Sequence, residues 1–193
     1  KESSQRILGA FLAHHKGVNM KSGNETYTLS NGIEIPSIGF GTYNPNGGDN
    51  CKIIRTAIEA GYRYFDTASL YGTERALGQA VKECGLDRRE LFIASKMWID
   101  EMGYEETKQA LERTLNRLRM DYLDLYLIHW PRRCEEDTDW KERGQETWRA
   151  MEELYTEGKI RGLGLSNFLP HHLDNILEPC KVKPVVNQLE IHP

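Results

Sequence analysis

Apolar and polar positions alternate with two different periods from Thr26 onward. Short apolar runs predict buried strands, and longer segments with apolar residues every three to four positions predict amphipathic helices. In chain order, strands are predicted over residues 37–42, 64–66, 91–95, 123–128, 160–165 and 185–191. A helix is predicted after each of the first five strands, so the pattern is typical of a parallel sheet covered by helices.

Each of the five predicted helices has one apolar face. These faces consist of Ile53, Ile54, Ala57 and Ile58; Ala76, Leu77, Ala80 and Val81; Leu111, Leu115 and Leu118; Trp148, Met151, Leu154 and Tyr155; and Leu173, Ile176 and Leu177. The second helix is expected to begin near Thr73 and to end at Gly85. Pro170 suits the first turn of the fifth helix, where His171 and His172 are expected to face solvent.

A β-hairpin is predicted before the first of these strands. Residues 26–29 and 33–35 form two short extended runs around Asn31 and Gly32. An Asn-Gly pair favours a type I′ turn, because both residues tolerate a positive φ. Pro36 is expected to end the second strand, because proline cannot donate a hydrogen bond to a strand ladder.

Polar side chains lie at or near the C-terminal ends of five successive strands. They are Asp66, Lys96, His129, Ser166 with Asn167, and Gln188. A doubly wound sheet and a (β/α)8 barrel both fit the alternation, but barrel active sites lie at the C-terminal ends of the strands. A dinucleotide-binding doubly wound domain also requires G-x-G-x-x-G after its first strand, and residues 39–44 lack the third glycine. The sequence therefore favours the barrel.

Composition narrows the classes of function. The chain has 193 residues, of which 39% are hydrophobic, and a formal net charge of −4, which is typical of one globular domain. The mild negative charge gives no reason to expect nucleic acid or an anionic membrane as a partner. The apolar runs are far shorter than the roughly 20 residues that span a bilayer.

The cysteines and the N-terminus add little chemistry. Four cysteines, Cys51, Cys84, Cys134 and Cys180, are scattered without the spacing of a metal site. An even number leaves disulfides open, but the pattern favours reduced thiols in a cytoplasmic protein. Because Met20 suits an original start, we interpret residues 1–19 as an added extension and residues 20–193 as the domain. No metal site is expected, including at His14 and His15.

Six segments resemble motifs of the aldo-keto reductase family, and they occur in the family's order. They are residues 61–78 (GYRYFDTASLYGTERALG), 93–96 (IASK), 127–131 (LIHWP), 151–154 with 158–161 (MEEL, GKIR), 165–168 (LSNF) and 187–193 (NQLEIHP). The resemblance covers residues 26–193 and is nearest to the bacterial type that includes diketogluconate and glyoxal reductases. It implies a TIM (β/α)8 barrel of class α/β, here truncated after strand six, because a complete barrel has about 250 residues.

The resemblance implies that Asp66, Tyr71, Lys96 and His129 catalyse the reduction of a carbonyl group by hydride transfer. Tyr71 would protonate the carbonyl oxygen, and His129 would orient and polarise the carbonyl group. Asp66 would hold Lys96 and keep it charged. A lysine about 4 Å from a phenol, at an effective dielectric of about 20, favours the phenolate by roughly 4 kcal/mol. We therefore expect Lys96 to lower the pKa of Tyr71 by about three units.

The resemblance also implies NADPH as the cofactor and a small-molecule carbonyl compound as the substrate. The residues implied in cofactor binding are Gly41, Thr42, Tyr43, Asp66, Ser166, Asn167 and Gln188. The implied substrate pocket is lined by Tyr43, Trp98 and Trp130. NADH stays open as the cofactor, because the family's residues for the 2′-phosphate are expected beyond residue 193. A full-length family member is expected to be a monomer.

Two alternatives to a reductase stay open. The first is a non-catalytic barrel that serves as a binding or regulatory subunit, similar to the potassium-channel β subunits. An intact catalytic set does not distinguish such a subunit from a reductase. The second alternative is an inactive fragment, because six strands alone would leave two open sheet edges that bind partners or associate into oligomers.

Overall fold

The computed structural model describes residues 25–192. It begins with an antiparallel hairpin of β1 (Thr26–Thr28) and β2 (Glu34–Pro36). The strands that follow are β3 (Gly39–Gly41), β4 (Tyr64–Asp66), β5 (Phe92–Met97), β6 (Leu125–Ile128), β7 (Leu163–Ser166) and β8 (Val186–Gln188). The helices between them are α1 (Asn50–Glu59), α2 (Glu74–Glu83), α3 (Tyr104–Leu118), α4 (Trp140–Thr156) and α5 (Pro170–Leu177). The proposed extension over residues 1–19, with His14 and His15, lies outside the described residues.

The strands from β3 to β8 are parallel and lie in the sheet in the order of the sequence. Gln188 on β8 nevertheless donates from Nε2 to Oδ2 of Asp66 on β4, at 3.2 Å. In a flat sheet, four strand spacings of about 4.8 Å would separate these two strands by ~19 Å. The sheet must therefore curl, and it forms part of a (β/α)8 barrel, which confirms the predicted fold class.

Apolar side chains pack on both faces of the curled sheet. Along β6, Tyr126 and Ile128 pack with the helices outside, whereas Leu125 and Leu127 belong to a cluster inside the barrel. Residues of the β1–β2 hairpin, including Ile33, pack against that inner cluster. The hairpin thus covers the amino-terminal end of the barrel and leaves the carboxyl ends of the strands for the site.

The hairpin is confirmed, but its predicted type I′ turn is wrong. Gly32 donates to the Leu29 carbonyl at 2.9 Å, and Gly32 has a φ of 85° while Asn31 does not have a positive φ. The turn therefore has one left-handed residue rather than two. Asn31 is held instead by its own side chain, which donates to the Arg161 carbonyl at 3.0 Å and fixes the hairpin to the strand β7 side of the barrel.

Two side-chain predictions are also wrong. Ile53 is 44% exposed, so the buried face of α1 consists of Ile54, Ala57 and Ile58 without it. His172 is only 4% exposed and does not face solvent, unlike His171. It is buried because its Nδ1 accepts a hydrogen bond from the Leu169 amide at 3.2 Å, which turns the ring back over the start of α5.

The four cysteines are unbridged. Within residues 25–192, no helix is both long enough and apolar enough to cross a membrane.

Close packing between α2 and α3 depends on Gly78. A Cβ added there would lie 2.6 Å from the carbonyl carbon of Leu118, which is backbone and cannot rotate away. Gly144, also inside a helix, has more room, because its nearest neighbour is the Asn175 side chain at 3.3 Å. The α2–α3 contact thus requires glycine for steric reasons.

We predict that Gly78→Ala lowers the free energy of unfolding by roughly 1–3 kcal/mol, because the added methyl group forces the two helices apart. The matched control is Gly144→Ala, where the added methyl group meets only the end of the Asn175 side chain. A shift of a few tenths of an ångström accommodates it, so the free energy of unfolding should change by less than about 1 kcal/mol. Urea denaturation of both variants measures the difference. Equal effects of the two substitutions would mean that Gly78 does not set the helix spacing.

Candidate active site

The four predicted catalytic residues converge at the carboxyl end of the barrel. Asp66 ends β4, Lys96 lies near the end of β5, and His129 directly follows β6. Lys96 forms an ion pair with Asp66 and also donates from Nζ to the Thr67 carbonyl at 3.1 Å. The Lys96 side chain is 2% exposed, so the cation is held inside the barrel by two oxygen partners.

Tyr71 reaches the same cluster from a single 3-10 turn, Ser69–Tyr71, that follows β4. Lys96 Nζ lies 5.1 Å from the centre of the Tyr71 ring, and the His129 ring lies 5.6 Å from it, edge to face. Gly72 follows with a φ of 68°, a conformation that glycine adopts without steric cost, and the chain then enters α2.

The expectation that Lys96 lowers the pKa of Tyr71 is wrong for this structure. Burial and the negative charge of Asp66, with a smaller contribution from Tyr43, raise the pKa of Tyr71 to about 12. Asp66 sits beside the cation, so its charge offsets that of Lys96 at the phenol. Tyr71 is therefore a protonated phenol at neutral pH.

The other two titratable groups respond to the same environment. Burial lowers the pKa of Lys96, and the Asp66 carboxylate opposes that shift. Burial and the Lys96 cation lower the pKa of His129 to about 4, so its imidazole is neutral at pH 7. The site thus combines one ion pair with a neutral phenol and a neutral imidazole.

Several residues predicted to bind the cofactor surround Asp66. Gly41 pairs with Asp66 in the strand register, and the Thr42 amide donates to the Asp66 carbonyl at 2.9 Å. On the other side of the barrel, Gln188 contacts the Asp66 carboxylate. All three residues therefore lie next to Asp66 at the end of β4.

Ser166 and Asn167 lie next to Gln188. Ser166 is opposite Gln188 in the register of β7 and β8, and the Asn167 amide donates to the Gln188 carbonyl at 3.0 Å. Asn167 has a φ of 63° and its Nδ2 donates to the His129 carbonyl at 2.9 Å. The left-handed backbone turns this side chain towards the end of β6, and the backbone contacts place Ser166, Asn167 and Gln188 next to one another.

Two of the three predicted pocket aromatics contact residues that are predicted to be catalytic. The Trp98 ring lies 5.2 Å from the His129 ring, and the Tyr43 ring lies 5.1 Å from that of Tyr71, centre to centre. Trp130 instead lines a neighbouring depression of about 430 Å³ together with Asn167, among others. Trp98 and Tyr43 therefore flank the cluster, and Trp130 extends that wall outward.

Three acidic residues with structural roles here were not predicted. Glu74 is buried, accepts from Ser95 Oγ at 2.8 Å and pairs with Arg117. Asp124, buried at the start of β6, accepts from the Ile93 amide at 2.9 Å. A carboxylate inside the apolar run 123–128 was the available signal for Asp124. Glu101, the third, accepts a hydrogen bond from Ser69 in the Tyr71 turn, and no sequence pattern marks it.

Among the described residues, no group of three or more His, Cys, Asp or Glu side chains is arranged to hold a metal ion.

The buried ion pair leads to a prediction about stability. Lys96→Met should lower the free energy of unfolding by about 3–5 kcal/mol, because it leaves the Asp66 carboxylate partly buried without its cation. Adding Asp66→Asn should recover part of that loss, since a neutral amide needs no cation. Chemical denaturation of the single and double variants measures both effects.

The control is Lys108→Met, because Lys108 pairs with Glu153 at a far more accessible place. That substitution should lower the free energy of unfolding far less, because ion pairs open to solvent contribute little to stability. If Lys96→Met unfolds like the parent protein, or no differently from Lys108→Met, the pairing does not stabilise the barrel.

Comparison with known proteins gives one consistent family. The model that describes the Aldo/keto reductase family matches residues 37–193. A protein named glyoxal reductase from Bacillus subtilis is 47% identical over 170 residues, which cover 88% of this chain and 59% of that protein. The chain thus spans less than two thirds of the length of this curated relative.

Solved structures agree with the sequence comparison. An aldo/keto reductase from Brucella melitensis superposes with a TM-score of 0.81 at 37% identity, covering 88% of this chain and 64% of that one. An aldo-keto reductase from Bombyx mori, solved in complex with NADP, gives a TM-score of 0.78 at 32% identity, covering 88% of this chain and 59% of that one.

Proposed function

The chain belongs to the aldo/keto reductase family, and from this premise we propose that the intact protein reduces aldehydes or ketones to alcohols with NADPH. The observation that carries the proposal is the convergence of a phenol, an imidazole and a lysine–aspartate pair at the carboxyl end of one barrel. The glyoxal reductase relative supports a carbonyl substrate, and the Bombyx mori complex supports a nicotinamide cofactor. The preference for NADPH over NADH is part of the proposal.

The polar groups at the ends of β7 and β8 fit the carboxamide of a nicotinamide. Ser166, Asn167 and Gln188 together offer one hydroxyl and two amides, which donate and accept hydrogen bonds as a carboxamide requires. When bound there, the cofactor supplies the hydride. Gln188 also contacts Asp66, so the same group links this part of the site to the ion pair.

Tyr71 supplies the proton. Its pKa of about 12 keeps the hydroxyl protonated at neutral pH. The alkoxide formed as the carbonyl carbon is reduced is a base about as strong as hydroxide, whose conjugate acid has a pKa of about 15.7. The O–H bond of Tyr71 therefore breaks, and that of the alcohol forms, in the favourable direction. The Lys96 ammonium, 5.1 Å from the ring centre, attracts the phenolate that is left and so limits how far burial and Asp66 raise the pKa of Tyr71.

His129 positions the carbonyl group. Because its pKa is about 4, the imidazole is neutral and donates a hydrogen bond without competing with Tyr71 as a strong acid. The Trp98 ring packs edge to face against it and limits its rotation. The roles of proton donor and orienting group are thereby divided between two residues.

The proposal is tested by following NADPH consumption by the intact protein with a panel of aldehydes and ketones, glyoxal included. Turnover with formation of the alcohol supports it. Binding of NADPH without turnover of any carbonyl compound would favour the non-catalytic subunit instead. A protein that neither binds NADPH nor turns over is the result expected of an inactive fragment.

We predict that Tyr71→Phe lowers kcat by 10²–10⁴-fold, the usual contribution of general acid catalysis. The dissociation constant for NADPH should stay within about twofold, because the hydroxyl acts in the transition state rather than in cofactor binding. Tyr62→Phe is the control, since the Tyr62 ring packs against Phe40 away from the site. If Tyr71→Phe retains more than about a tenth of kcat, Tyr71 is not the sole proton donor.

A further inference from the structure

The Glu101 carboxylate joins three elements around the active site. Its Oε2 accepts from the Ser69 hydroxyl at 2.5 Å and from the Trp98 amide at 3.0 Å. Its Oε1 accepts from Arg113 on α3 at 3.1 Å. The Trp98 amide also donates to Ser69 Oγ, at 3.2 Å. The Ser69 hydroxyl, the Trp98 amide and the Glu101 carboxylate thus form a closed triangle of hydrogen bonds.

Two corners of that triangle lead to residues of the proposed mechanism. Ser69 begins the 3-10 turn that ends at Tyr71. Trp98 follows β5, two residues after Lys96, and its ring contacts His129. Glu101 therefore connects the backbone that carries the proton donor to the backbone that carries the aromatic neighbour of His129.

Beyond the ring contacts of Tyr71 itself, the Tyr71 turn has few other supports. It is a single 3-10 turn, whose hydrogen-bond geometry is poorer than that of an α-helix. The Tyr71 amide donates to the Ala68 carbonyl at 3.1 Å, and Leu70 in the middle of the turn is exposed. Apolar burial thus does little to fix the turn, and the Ser69–Glu101 hydrogen bond is a short, charge-assisted tie to the rest of the barrel.

The carboxylate is placed to act as an anion. Its side chain is 18% exposed. Burial acts to raise the pKa of Glu101, but the hydrogen bonds from Ser69, the Trp98 amide and Arg113 outweigh it and hold the pKa below its ordinary value. Glu101 is therefore ionised at neutral pH and accepts all of these hydrogen bonds at once.

We propose that Glu101 is a positioning residue, which holds the Ser69–Tyr71 turn and Trp98 at the spacing that proton transfer requires. The inference rests on the proposed reductase function. Glu101 is not itself a catalytic residue, because it acts through Ser69 and Trp98. A displacement of about 1 Å of a reacting group can cost on the order of 100-fold in rate, so loss of the tie should act on kcat.

The experiment compares Glu101→Ala, Ser69→Ala and the double variant in the intact protein. Each single variant should lower kcat by roughly 10–100-fold while the dissociation constant for NADPH stays unchanged. The double variant should be no slower than the slower single variant, because both remove the same hydrogen bond. Ser69→Thr, which keeps a hydroxyl, should restore most of the activity lost in Ser69→Ala.

The control is Asp100→Ala. Asp100 is the neighbouring acid in the same short turn, its side chain is 71% exposed, and it pairs with Arg133 at the surface. This variant removes an equal charge without touching Ser69 or Trp98, so its kcat should match that of the parent. Ser69→Ala leaves the Arg113 contact in place, which keeps the test informative if Glu101→Ala does not fold.

Hydrogen exchange detected by mass spectrometry provides a readout without turnover. Peptides over residues 67–73 and 97–101 should exchange faster in Glu101→Ala and Ser69→Ala, and not in Asp100→Ala. Unchanged exchange, additive losses in the double variant, or a kcat within about twofold of the parent would overturn the proposal. If the parent itself reduces no carbonyl compound, the reductase function fails, and the exchange experiment still decides whether Glu101 holds the turn.

Discussion

The ion pair between Lys96 and Asp66 is the interaction on which the site depends. A lysine inside an apolar strand needs a partner, because a buried cation without one is very costly. The parallel pairing of β4 and β5 supplies it, since Asp66 lies opposite Ala94, two residues before Lys96. The pair fixes the end of β4, and the Tyr71 turn begins three residues later. The stability of the barrel and the proposed proton transfer thereby depend on the same contact.

The balance of charge within that pair determines how the phenol behaves. Asp66 offsets the charge of Lys96, so burial dominates and the pKa of Tyr71 rises to about 12 instead of falling. Tyr71 is thus protonated at neutral pH, as the proposed proton donor must be. This favours a mechanism in which the donor is positioned and protonated beforehand, and it makes the geometry of the Tyr71 turn important. Glu101 holds that turn from outside the barrel interior.

Much of the fold could be predicted because two simple periods alternate through most of the chain. The position of the site could also be predicted, because a parallel sheet brings the carboxyl ends of its strands to one edge. Lys96 marked one of those ends, since a charge is unusual at the close of an apolar run. What failed depended on side-chain contacts that the hydrophobic pattern does not encode, one between distant residues and one within a single helical turn. Asn31 adopts its backbone conformation while bonded to Arg161, and His172 is turned inward by the Leu169 amide. The direction of the Tyr71 pKa shift required the burial of the ring, which no local pattern encodes.

The pKa of Tyr71 tests this description of the site most directly. Carbon-13 NMR of the intact protein, labelled at tyrosine Cζ and assigned with Tyr71→Phe, measures it without turnover. We predict that the Tyr71 signal remains that of a phenol through pH 10 and titrates at about 12. A midpoint below 10 would contradict the description, because it would mean that the charge of Lys96, and not burial with Asp66, governs the proton on Tyr71.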